Sequence, residues 1–290
     1  MRALAIGLAL VAALPFAAAN SAYAAGPVGI VAAENFYGDL ANEIGGSDVN
    51  VTSILSNPDD DPHLFESSPS TARAIAGAEI VIYNGADYDP WMDKLLSASP
   101  STTRTSIVAA DLTGHKSGDN PHLWYEPDTL PKVAATLAAE LEKRDPAHAS
   151  EFKANLAKFN ASLEPVAAAV GRIKAADAGM EVTATEPVFG YMASALGFKM
   201  LNYDFQVATM NDTEPSPRQV ADFEQSLKSG EAKILFYNSQ VTDDTTTKLL
   251  KLANDSHVKV IGVTETEPKG KTIATWFLGQ LHEIEDALKS

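Results

Sequence analysis

The feature that most constrains this chain is an apolar stripe from Ser150 to Ala176, in which Phe152, Leu156, Phe159, Leu163, Val166, Val170 and Ile173 recur at alternating spacings of four and three. The pattern predicts one long helix, about 40 Å from end to end at 1.5 Å per residue. A rod of that length exceeds what one small domain needs, so its stripe can serve two partners. Such a stripe also suits plain core or a coiled coil. The flanks favour a connector, because both read as strands alternating with helices and both carry His or Glu in loops that follow strands. Pro165, inside the stripe, predicts a kink or local break.

The first 25 residues read differently. Arg2, the apolar stretch Ala3 to Ala19 and the small-residue pattern Ala22-Tyr23-Ala24 have the layout of a cleaved secretory signal. No later stretch has the length and apolarity of a membrane span, and the chain has no Cys, hence no disulfide framework and no lipid-carrying Cys at the cleavage site. A periplasmic location without a lipid anchor is the expectation. Removing the signal takes away Arg2 and no acid, which leaves 21 basic against 38 acidic residues and moves the formal charge from −16 to −17. A chain this acidic is not expected to bind nucleic acid, whereas it raises the local concentration of cations. The remaining residues, about 265, suffice for two cores in two lobes.

In chain order the expected elements are a strand over Val28 to Ala33, a helix through Phe36, Leu40 and Ile44 that stops at Gly45-Gly46, and a strand over Val49 to Leu55. A proline-bearing loop from Ser56 to His63 follows, then a helix from a Ser70 cap to Gly77, a strand over Glu79 to Tyr83, a helix over Pro90 to Leu96 and a strand over Ser106 to Ala110. An irregular loop over Asp111 to Glu126 leads to a helix from Pro127 through Leu141. Beyond the long helix come a strand over Glu181 to Ala184, a helix over Pro187 to Leu196, a strand near Lys199 to Asn202 and a helix from Pro217, with Ser216 as its cap, to Leu227. A strand over Lys233 to Tyr237, a helix capped by Thr242 to Ala253, a strand over Val258 to Val263 and a helix over Gly270 to Leu288 complete the chain. This is an α/β pattern of two lobes, each with a mainly parallel sheet flanked by helices. It divides as signal 1–25, N-terminal lobe 26–145, connecting helix 146–177 and C-terminal lobe 178–290. Ligands are expected in the crevice at the strands' carboxyl ends.

Two of the six His share a context, in Asp61-Pro62-His63 and in Asn120-Pro121-His122-Leu123-Trp124. A preceding proline restricts the approach of the chain, so these imidazoles need little ordering to ligate a metal. His115, His148, His257 and His282 lack that setting and read as surface residues. In the second half, Thr185-Glu186-Pro187 and Thr264-Glu265-Thr266-Glu267-Pro268 put carboxylates in the corresponding loops. Two imidazoles and two carboxylates make an N2O2 set for a divalent transition metal. An acid before a proline-started helix also complements the helix dipole, a plainer reading of Glu186.

The Asp-Pro-His-x-x-Glu and Asn-Pro-His-x-Trp motifs, the Thr-Glu-Pro junction between strand and helix, and the long central helix together resemble the metal-binding solute-binding proteins of ABC importers that take up zinc, manganese or iron. The resemblance spans about Pro27 to Leu288. It implies that His63, His122, Glu186 and Glu265 ligate the ion between the lobes. Glu267 is close enough in the chain to compete for the fourth place, and Gln240, at the end of a strand that reaches the crevice, is positioned to hydrogen-bond a ligating carboxylate. The family's third ligand is His in most zinc members and Glu in many manganese members, and the fourth is normally Asp; here the positions hold Glu186 and Glu265. The segment Gly114 to Asp119 is short where zinc importers often carry a long His-rich loop. Oxygen ligands shift weight towards manganese, while the general affinity order favours zinc. The implied cargo is Mn2+ or Zn2+, with Fe2+ as a third candidate, and the implied partner is a membrane permease with its ATPase, served by a monomer that is not an enzyme. Two other readings use the same residues. A secreted zinc hydrolase would hold the metal on His63, His122 and Glu186, but the chain lacks a His-Glu-x-x-His helix and any Ser or Cys nucleophile motif. A metal-dependent surface adhesin, a role associated with the family, would want the missing lipid-carrying Cys.

Overall fold

The structure is a computed structural model that describes residues 26–57, 65–211, 213–241 and 244–289. The expected signal, the Asp59 to His63 loop and the Thr242 cap lie outside the described residues.

The N-terminal half runs β1 (Val28–Glu34), α1 (Asn35–Gly45), β2 (Val49–Leu55), α2 (Pro69–Gly77), β3 (Ile80–Tyr83), α3 (Pro90–Ala98), β4 (Thr105–Val108), α4 (Ala109–Thr113) and α5 (Thr129–Arg144). Then α6 (Ala149–Asp177) leads into β5 (Glu181–Ala184), α7 (Gly190–Ala195), β6 (Lys199–Met200), α8 (Tyr203–Met210), α9 (Pro217–Lys228), β7 (Ile234–Asn238), α10 (Asp244–Asp255), β8 (Lys259–Val263) and α11 (Ile273–Leu288). Each half builds a four-stranded parallel sheet, in the order β2-β1-β3-β4 and β6-β5-β7-β8. Strand order reverses between β1 and β3 and again between β5 and β7. The loops that leave those strands flank the crevice where ligands bind in open parallel sheets. Among the described residues no helix is long and apolar enough to cross a membrane.

Helix α6 extends the expected span by one residue at each end and runs unbroken through Pro165. Of the kink or break expected at Pro165, the break does not occur; Pro165 lies on the exposed side, where water can satisfy the carbonyl left without a helical partner. The buried side, Phe152, Phe159, Val166, Ala169 and Ile173, packs against α1 and α5 on one hand and α11 on the other. The two expected cores are in fact joined. One cluster runs from Ile30, Phe36 and Ile82 through Trp124, Tyr125 and Phe159 to Val182, Phe236 and Trp276, with smaller clusters on the outer faces of each sheet. The apolar stripes of α6 and α11 and the aromatic side chains between the sheets fill what would otherwise be a solvent gap.

Several boundaries differ from the reading of the sequence. β4 stops at Val108, and the loop expected over Asp111 to Glu126 contains the end of α4 and a 3-10 turn over Leu123–Tyr125. α5 begins at Thr129 rather than Pro127, since Pro131 has no N–H to donate and is tolerated only in a first turn. Ser68, not Ser70, caps α2 through a capping box with Thr71. The helix expected from Pro187 is a 3-10 turn, Pro187–Phe189, that continues into α7. β6 is cut to two residues because Asn202 takes a left-handed conformation (φ 56°) and turns the chain into α8, a helix the sequence did not signal. β7 includes Asn238, and α11 starts after a Thr272 cap rather than at Gly270. Ser216 caps α9 as expected, in a capping box with Gln219.

Candidate metal centre

His122 reaches the crevice from the N-terminal half. Pro121 directs the chain, and its carbonyl accepts from Asn84 Nδ2 at 2.7 Å, while Asn84 Oδ1 accepts from the Tyr37 hydroxyl at 3.0 Å. The imidazole is fully buried. Its Nδ1 lies 2.7 Å from Asn120 Oδ1, an acceptor, so Nδ1 carries the proton and Nε2 presents a lone pair. Asn120 Nδ2 in turn donates to Pro187 O at 2.8 Å, and Tyr191 donates to Asn120 O at 2.7 Å. One side chain thereby orients His122 and grips the loop that carries Glu186. Gly190 leaves room for this: a Cβ there would sit 2.8 Å from Asn120 Nδ2.

Glu186 and Glu265 come from the C-terminal half, just beyond β5 and β8, and both are buried. Asn238, the last residue of β7 and itself buried, donates through Nδ2 to Glu186 Oε2 at 3.0 Å and to Glu265 Oε1 at 2.8 Å. Its Oδ1 accepts from Gln240 N at 3.1 Å. The other oxygen of Glu265, Oε2, accepts from the Tyr88 hydroxyl at 3.0 Å and lies 3.6 Å from His122 Nε2. Two ligand atoms each about 2.1 Å from one ion at a tetrahedral angle lie about 3.4 Å apart, so this separation suits a shared ion. Burial, and then the charges of Glu265 and Glu34, hold the Tyr88 phenol protonated, which keeps it a donor.

Gln240 was expected to reach a ligating carboxylate. Its side chain instead accepts from the backbone N–H groups of Glu265, at 2.5 Å, and Thr266, at 3.2 Å, and donates to Thr266 Oγ1 at 2.8 Å. It shapes the loop, and Asn238 makes the carboxylate contact. Glu267 is buried too, but it lines a separate cavity of about 560 Å³ with Asn35, Asp39 and Asn42. There burial, with the charges of Asp39 and Glu43, pushes its carboxyl up to about 8. Asn35 pins its backbone, accepting from Glu267 N at 2.9 Å and donating to Glu267 O at 2.8 Å. The structure thus brings His122, Glu186 and Glu265 to one buried site and turns Glu267 elsewhere; His63 lies outside the described residues. His115, read as a surface residue, is half-buried between Glu126 and the ring of Tyr191.

Beneath the site lies an aromatic floor in which Trp124 contacts the rings of Phe36, Tyr88 and His122. Glu34, fully buried at the end of β1, is raised well above the usual carboxylate range by burial and by the charge of Asp89. Burial pushes Asp89 up to about 6, even though it accepts from the N–H groups of Asn84 and Gly85. Among the described residues, one acid–imidazole group has all its ligand atoms within 4.8 Å, namely Asp48, Asp145 and His148, half-buried at the start of α6. It amounts to a hydrogen-bonded His148–Asp145 pair, 2.6 Å apart, with Asp48 beside it. Asn238, Tyr88 and Asn120 were not singled out from the sequence, although Asn120 and Asn238 lie beside residues that were.

The family model described as zinc-uptake complex component A, periplasmic, matches residues 30–287. The manganese-binding lipoprotein MntA of Bacillus subtilis is 23% identical over 270 residues, which span 87% of this chain and 86% of that protein. The iron-binding protein YfeA of Yersinia pestis is 24% identical over 216 residues, 71% of this chain and 67% of its own length. Among solved structures, the periplasmic zinc-binding protein TroA of Treponema pallidum superposes with a TM-score of 0.76 at 18% identity, covering 91% of this chain and 99% of that one.

Proposed function

The chain belongs to the zinc-uptake complex component A periplasmic family, metal-binding solute-binding proteins of ABC importers, and from that premise we propose that it captures one divalent transition ion, manganese or zinc with ferrous iron as a third candidate, and delivers it to a membrane permease. The relatives named for manganese, iron and zinc support the class of cargo and leave the choice among the three open. His122, Glu186 and Glu265 are proposed ligands, joined by His63. The observation that carries this reading is the buried approach of His122 Nε2 to Glu265 Oε2, 3.6 Å apart, with Glu186 tied to the same cluster through Asn238. Buried carboxylates beside an imidazole lone pair are costly alone and are stabilised by a cation. The matching family model is named for zinc uptake and other relatives for metal ABC transporters, and no arrangement among the described residues favours the hydrolase reading. The site lies between elements of both halves, so release requires them, or a loop between them, to shift when the permease docks. A periplasmic location and action as a single chain are part of the same proposal.

Native mass spectrometry with elemental analysis of protein purified from the periplasm tests the proposal. One bound ion per chain is expected, lost when His63 and His122 are both replaced by Ala. Retention of tight binding by that double variant would remove the site assignment. Glu265→Ala is expected to weaken binding far more than Glu267→Ala, and the reverse order would transfer the role.

A further inference from the structure

We infer that Asn238 makes Glu186 and Glu265 one-oxygen ligands and so sets the coordination number of the site; the inference rests on the ligand set proposed above. One amide nitrogen donates to both carboxylates, at 3.0 Å to Glu186 Oε2 and at 2.8 Å to Glu265 Oε1. The amide is not free to rotate. Its Oδ1 is engaged by Gln240 N at 3.1 Å and its own backbone N–H donates to Thr185 Oγ1 at 3.1 Å, so both the orientation and the position of the side chain are fixed by the neighbouring loop. All of this is buried, where hydrogen bonds to charged groups are strong and an unsatisfied donor is costly.

The consequence is geometric. A carboxylate that chelates must bring both oxygens to nearly equal distances from the ion. Asn238 draws one oxygen of each carboxylate towards itself, and chelation by either would have to work against that bond. Each carboxylate is left to give its other oxygen. In Glu265 that oxygen, Oε2, lies beside His122 Nε2 and also accepts from the Tyr88 hydroxyl, so it meets the ion with its remaining lone pair while the rigid Asn238 amide keeps Oε1 back. Two imidazoles and two single oxygens make four ligands, the number zinc accepts in closed tetrahedral sites. Manganese in oxygen-rich sites takes about six, which this ligand set supplies only if both carboxylates chelate. The oxygen donors themselves lean towards manganese, and Asn238 acts against that lean. It touches no ion and is a positioning residue whose effect is on selectivity.

The test compares zinc and manganese affinities, by competition with a chelating indicator, in wild type, Asn238→Leu and Asn238→Ala. Leu approximates the shape and lacks the donors; Ala is the second variant should Leu disturb the loop. The zinc-to-manganese affinity ratio is expected to fall about tenfold, the scale of one charge-assisted hydrogen bond. X-ray absorption on the manganese-loaded variants should count more ligand atoms than in wild type. A purely structural role would weaken both ions alike, so an unchanged ratio in both variants overturns the inference. Glu186→Ala is measured alongside. If it abolishes binding while the ratio stays fixed, the role of Asn238 is refuted and the ligand set stands; if it leaves binding intact, the ligand set falls and the inference with it.

Discussion

At the residue scale the centre is governed by neutral amides that orient charged groups. Asn120 holds the proton-bearing nitrogen of His122 and the Pro187 carbonyl at once, and Gly190 is the residue whose missing side chain permits it. Gly190→Ala is therefore expected to weaken metal binding about tenfold, the lower end for disturbing a partner of a ligating His. It should barely alter the far-UV dichroism, because φ at this position is helical (−57°) and suits any residue. Calorimetric titration measures the first and thermal melting the second; wild-type affinity in the variant would show that Asn120 does not orient His122. Glu34 yields a different kind of prediction. Its burial beside Asp89 raises its carboxyl well above the usual range, so the folded chain keeps a proton that the unfolded chain loses near pH 4.5. Stability from this group is full below that pH and falls as pH rises. Glu34→Gln removes the titration, so in metal-free protein its melting temperature relative to wild type should climb between pH 5 and pH 8. Parallel curves would refute the assignment. The proposed ligands His63, His122 and Glu186 each stand beside a proline in a loop after a strand, so each can be singled out from the sequence one at a time, whereas Glu265 lies three residues before Pro268 and has Glu267 as a sequence rival. Asn238 could not be singled out, since its role depends on two carboxylates that lie 52 and 27 residues away along the chain.

At the element scale, the alternating four-and-three stripe marked α6 to within a residue at either end, because a long buried face leaves a periodic signal. Short elements carry no such signal. α8 was missed because its buried residues, Phe205 and Gln206, are adjacent and form no stripe, and α4, with five residues, is too short to have a period. A kink or break is expected at Pro165, and the helix is not broken there, which implies a cost carried without a break. Pro165 is exposed, so replacing it by Ala restores an i to i−4 hydrogen bond without opening a cavity. Proline in a helix interior costs about 3 kcal/mol, offset by up to about 1 kcal/mol from its stiffening of the unfolded chain. Pro165→Ala is expected to stabilise the protein by about 2 kcal/mol in denaturant unfolding. No gain would mean that the helix distorts around the proline at negligible cost.

At the scale of the whole molecule, alternating strands and helices made two parallel sheets legible, but not that their cores would merge. The difference matters for function. Besides the shared apolar cluster, the halves are cross-linked by Asn35 to the Glu267 backbone, by Asn120 to Pro187 O, and by Tyr125, which donates to Thr264 O at 2.9 Å and accepts from Gln280 at 2.8 Å. Opening the halves as hinged bodies would expose the aromatic floor and break these bonds, so capture and release are expected to proceed by small shifts near the loops. A joined core also predicts that the metal-free protein unfolds as one unit. Tryptophan fluorescence, which reports Trp124 and Trp276 at the junction and Trp91 on the outer face of the first sheet, should change at the same denaturant concentration as the far-UV signal of all the helices. Metal at about 100 times its dissociation constant should move that single transition by about 2.7 kcal/mol. Two separated transitions, with metal shifting only one, would mean that the halves fold independently and that the junction does not restrain their motion.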